Sequence, residues 1–138
     1  MASGMGRTIR QAVLDHLLKT GVGWTAPADI YVALFTVAPT ATGGGTEVAT
    51  AGGTLYARVK HNTWHAATAA EPSIATNDGD IDFPEAGGVW GAIVAWAIFD
   101  SALPGGNFLA YGACSKTIGT GDTARFKDTE LQIKLNES

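Results

Sequence analysis

One stretch, VWGAIVAWAIFD from Val89 to Asp100, restricts the fold more than any other part of the chain. Strict alternation gives it no polar side: Ile93, Ala95, Ala97 and Phe99 fall on one face, Val94, Trp96 and Ile98 on the other. A strand that is apolar on both faces belongs in the middle of a sheet, covered above and below.

The rest of the chain supplies partners for such a strand. Ile30 to Thr36 (IYVALFT) is a compact run rich in β-branched and aromatic residues, and it ends near Pro39. Leu55 to His61 (LYARVKH) alternates Leu55, Ala57 and Val59 with Tyr56, Arg58 and Lys60, and Trp64 closes it. Glu71 and Pro72 mark a break, and Asn77-Asp78-Gly79 signals a turn before Ile81 and Phe83. The segments NFLAYGAC, TARF and LQIKL follow, the last alternating Leu131, Ile133 and Leu135 with Gln132 and Lys134.

Helical periodicity occurs once, from Arg7 to Lys19, where Ile9, Val13, Leu14, Leu17 and Leu18 form an apolar stripe. Gly21, Gly23 and Pro27 stop it. Short strands, tight turns and one helix predict a mainly β fold. The expected form is an antiparallel β-sandwich or jelly-roll-like barrel with one short N-terminal helix. The division expected is an N-terminal arm and amphipathic helix over residues 1–26 and a single β domain over residues 27–138. Thr40 to Thr54 (TATGGGTEVATAGGT) is long for a loop in a compact domain and reads as mobile or ordered by a partner.

Composition narrows the function. A chain of 138 residues can bury one sizeable core. A formal charge of −4 and a pI near 5.2 argue against a nucleic-acid partner, which wants a basic stripe. Charged residues make up 16%, against about 25% in typical soluble domains. Mean hydropathy is +0.10, so part of the surface is expected to be buried against partners. A single cysteine rules out a disulfide framework within the chain and a cysteine-based zinc site. No apolar run reaches the length of a membrane span, and Asp15, His16 and Lys19 interrupt any secretory core. A soluble protein made in a cytosol is expected.

No catalytic, cofactor-binding or metal-binding residue is nominated. Cys114 has His16, His61 and His65 as conceivable partners for nucleophilic catalysis. Alternation, however, places it with Phe108, Ala110 and Gly112, a row of small or apolar fillers, opposite Leu109, Tyr111 and Ala113. The residues after it, SKTIGTGDT, read as a hairpin turn back into TARF. His61 and His65 in HNTWH lack the glutamate of a zincin helix, with Asn62 in its place, and no third ligand is evident. Asn77 to Asp82 (NDGDID) has the composition of a calcium loop, but Gly79 comes too early and the closing glutamate is missing. The glycine-rich segments lack the Lys-Ser/Thr of a phosphate loop. Trp96 belongs to the core, whereas Trp24 and Trp64 fit core or interface equally. The candidate interface residues are Ile9, Val13, Leu17, Trp24 and Trp64, with Met1 to Lys19 and Thr40 to Thr54 as bridging elements.

In order, IYVALFTVAP, YARV, DFPEAGGVWGAIVAWAIFD, GGNFLAYGACSKTIGTGDTARF and LQIKL resemble a family of small tailed-bacteriophage virion proteins. Members are often labelled phage tail fibre protein, and related small β proteins decorate capsids. The resemblance covers about Pro27 to Leu135. It implies a β fold, no enzymatic activity, no cofactor and a place in the virion assembled in the host bacterial cytoplasm. The expected role is a capsid decoration or cement protein that binds the outside of the shell and bridges capsomers. Its partners would be the major capsid protein and itself, as a dimer or trimer. The alternative is a tail fibre or tail-tip module that contacts tail proteins or a host surface glycan.

Overall fold

The structure, a computed structural model, describes residues 4–19 and 25–135. In chain order its elements are β1 (Gly4–Met5), α1 (Arg7–Leu18), β2 (Tyr31–Val37), β3 (Thr46–Glu47), β4 (Val59–Lys60), β5 (Ser73–Thr76), β6 (Ile81–Glu85), β7 (Gly91–Phe99), β8 (Phe108–Ile118), β9 (Thr123–Phe126) and β10 (Gln132–Leu135). The apolar strand β7 takes the central place that its two faces demand. The main sheet runs β1-β8-β7-β2-β3, and β4 also pairs with β2. Two short antiparallel ladders, β5 with β10 and β6 with β9, complete a mainly β architecture with one short helix, consistent with a β-sandwich.

The ladders pack on one face of the main sheet. Val32, Leu34, Trp96 and Ile98 from the sheet join Ile81, Phe83, Phe126 and Leu131 from the opposing layer in one buried cluster. Leu34, Ile81, Leu131 and Phe126 are almost wholly removed from water, each contributing about 1.5–3 kcal/mol. On the opposite face Ala33, Ala95 and Ala97 form a floor beside Phe35 and Tyr111. A chain of rings lies along this face: Phe35 stacks on Phe99, Phe99 meets Phe108 edge-on, and Phe108 stacks on Tyr111. Among the described residues, neither short ladder contributes to this second cluster.

Strict alternation fails at two places, and both failures change which residues share a face. The β7–β8 register shifts between Ile93 and Ala95, and again between Ile98 and Phe99. Ile93 therefore joins Trp96 and Ile98 in the main core, while Ala95, Ala97 and Phe99 stay on the other face. Phe108 likewise packs with Tyr111 and not with Cys114, and Leu109 turns toward the main core. A bulge adds an unpaired residue, so a period-two reading misplaces everything beyond it.

Three further expectations are corrected. Of Leu55 to His61 only Val59–Lys60 is a strand, the two residues that pair with β2, and Leu55, with a φ of 57°, is not extended at all. Alternation there still sorts the side chains: Tyr56 is buried and Leu55 exposed. The segment after Cys114 is not a paired hairpin. Strand β8 continues to Ile118 within the main sheet, and the turn closed by Asp122 N donating to Gly119 O carries the chain into β9, which pairs with β6. Thr40 to Thr54 is held by its own chain: β3 pairs with β2, Val48 is buried, and its N–H donates to Leu34 O.

Candidate interaction surface

Helix α1 is docked at its start and open at its end. Strand β1 pairs Gly4 with Tyr111 and Met5 with Ala110 on the edge of β8, which fixes where the helix begins. Gly6 N donates to Leu109 O at 2.7 Å, and Arg7 N donates to Ala41 O at 2.8 Å. A Cβ on Gly6 would stand 2.6 Å from Phe108 O, so only glycine permits this approach.

The apolar stripe then divides. Ile9 is buried, Val13 is half-buried, and Leu14, Leu17 and Leu18 are 57%, 70% and 78% exposed. Spacings of three and four residues put these leucines on one continuous patch. Ile9 lines an apolar groove of about 290 Å³ together with Met5, Pro27, Trp64, Leu109 and Ile133. Trp64 donates its indole N–H to His61 O at 3.1 Å and meets the His61 ring edge-on. Of the sequence-predicted interface residues, the fold thus brings Ile9 and Trp64 together and leaves Leu17 at the surface. Trp24 lies outside the described residues. Leu14 and Leu18 belong to the exposed patch as well, and the helical stripe itself was the signal for them.

Cys114 is half-buried, its Sγ 4.0 Å from Ile93 O. Burial, above all, pushes the thiol up to about 11; Lys116 opposes and Glu130 adds to the shift. A thiol held above its ordinary value in this way is the opposite of an activated nucleophile.

Two clusters escaped the reading of the sequence. In the first, Arg58, its side chain 4% exposed, donates from Nε and Nη2 to the Glu47 carboxylate at 2.9 and 2.7 Å. Its Nη1 donates to the carbonyls of Ser101, Leu103 and Gly105, and its guanidinium lies 3.8 Å over the Phe99 ring. Tyr56 Oη donates to Glu47 and accepts from Leu34 N, and burial holds its phenol far above the usual range. This clamp ties β3, the segment before β4 and the loop after β7 to β2 and β7.

In the second cluster His65 Nε2 lies 3.0 Å from Asp128 Oδ1 and 3.8 Å from Asp78 Oδ1. The Asp128 hydrogen bond raises the His65 pKa above its ordinary value. The Gly79 N–H and then His65 hold the Asp128 carboxyl below its own. All three residues are exposed.

A family model described as podophage GP4 fiber I protein gp80 matches residues 4–134. No curated protein matches the chain. The match spans nearly the whole fold, from β1 into β10, and the chain belongs to this family of phage structural proteins.

Proposed function

We propose, from membership of this fibre family, that the chain is a tail-fibre component of the virion, acting by binding and not by catalysis. Two alternatives remain within the phage setting, fibre and capsid decoration, and the family description supports the fibre. The observation that carries a binding role is the exposed leucine patch of α1, Leu14, Leu17 and Leu18, on the same helix whose Ile9 lines an apolar groove. An apolar patch of this kind on a low-charge domain is suited to burial against a neighbouring virion protein. The protonated, half-buried Cys114 agrees with a non-enzymatic role.

Counting copies in purified particles by quantitative mass spectrometry tests this reading. A few copies for each tail are expected. Hundreds per particle would favour a decoration protein spread over the shell, and absence from particles would overturn both.

A further inference from the structure

His65, Asp78 and Asp128 reach one point from three separate segments: the stretch after β4, the turn after β5 and the turn after β9. Their ligand atoms all lie within 4.8 Å of one another. Nitrogen and oxygen ligands about 2.0–2.2 Å from a tetrahedral ion stand roughly 3.3–3.5 Å apart. The two separations from His65 Nε2, 3.0 and 3.8 Å, bracket that value, and the two carboxylates lie within 4.8 Å of each other, so side-chain adjustment would be needed to close on an ion.

The frame under these side chains is fixed. Asn77 is fully buried; its Nδ2 donates to Gly79 O and Lys127 O, and its Oδ1 accepts from Leu131 N. One side chain thereby locks the two turns that carry Asp78 and Asp128. Each ligand residue is also anchored through its own backbone N–H: His65 to Thr76 O, Asp78 to Thr63 O, and Asp128 to Asp80 Oδ1. Gly79 N donates to Asp128 Oδ1, the same oxygen that faces His65, and so helps to orient that carboxylate.

We propose that His65, Asp78 and Asp128 form a binding site for a divalent transition-metal ion, with zinc as the type. The imidazole sets this cluster apart from an acidic patch. Calcium takes six to eight oxygen ligands, whereas one imidazole with two carboxylates suits a borderline cation that accepts nitrogen. The ion would replace the contact between His65 and Asp128, cancel the repulsion of two carboxylates, and leave an open position toward solvent. Its role would be to brace the two turns at this end of the domain. Neither HNTWH nor NDGDID shows this site by itself, since its third ligand, Asp128, lies far along the chain.

The test is calorimetric titration of the full chain, without an affinity tag, with zinc chloride, paired with thermal unfolding in zinc chloride or calcium chloride. One zinc per chain is expected, with a rise in Tm that calcium does not reproduce. His65→Ala and Asp128→Asn should each weaken zinc binding at least about tenfold, while His61→Ala binds as the parent does. Cobalt substituted for zinc should give visible absorption that His65→Ala abolishes. No saturable zinc binding, undiminished binding in His65→Ala, or an equal response to calcium would each overturn the proposal.

Discussion

Trp96 and Gly112 face each other directly across the β7–β8 ladder, and the indole fills the space a side chain on Gly112 would need. A Cβ there would stand 2.5 Å from Cε2 and 2.8 Å from Nε1 of Trp96. The pair explains how a central strand can carry a tryptophan into the core: its neighbour gives up its side chain. Gly112→Ala is expected to destabilise the fold by about 1–3 kcal/mol, the usual cost of overpacking a core. Denaturant unfolding reads this as a lower midpoint at constant slope; an unchanged midpoint would mean the indole is not held there.

The helix stripe should separate into core and surface by mutation. Ile9 is buried, so Ile9→Ala is expected to cost about 2 kcal/mol or more. Leu17 is 70% exposed, so Leu17→Lys should change stability by no more than about 0.5 kcal/mol. Urea midpoints of the two variants give the comparison, and equal losses would contradict the division of α1.

The Arg58 clamp is predicted to be intolerant of neutral replacement. Arg58→Met strands the Glu47 carboxylate and three carbonyls in a half-buried setting, at an expected cost of about 3–5 kcal/mol. Arg58→Lys should recover only part of this, since an ammonium cannot match the two-point contact. Thermal unfolding of both variants checks the order, and a parent-like Arg58→Met would show that the pair contributes nothing.

Cys114 should behave as a protected thiol. With its pKa raised to about 11, alkylation by iodoacetamide is expected to be slow at pH 8 and to accelerate as pH rises toward 11. The sign follows from burial, which disfavours the thiolate, so reactivity grows only where the folded protein is driven to ionise. Cys114→Ala should leave incorporation into virions unchanged. Rapid labelling at neutral pH would point instead to an activated nucleophile.

The strands were legible where the apolar, β-branched run was long, as in β2 and β7, and so was helix α1. What misled was local. Two register shifts in the β7–β8 ladder moved Ile93 and Phe108 to the opposite face from the one alternation gives. The predicted strand from Leu55 begins on a residue at positive φ and pairs with β2 only at Val59 and Lys60. Bulges and left-handed residues leave little trace in hydropathy, because they are set by partners distant in sequence. The same distance hid the candidate sites: Glu47 finds Arg58, and His65 finds Asp128, only through the fold. The exposed part of the helix stripe was visible as apolar residues, but its exposure depended on how β1 positions the first turn against β8.

Immunogold electron microscopy of intact phage, with antibody raised against the folded chain, locates the protein in the particle. A tail-fibre component predicts gold confined to the tail and its fibres. Gold distributed evenly over the head, with none on the tail, would contradict it.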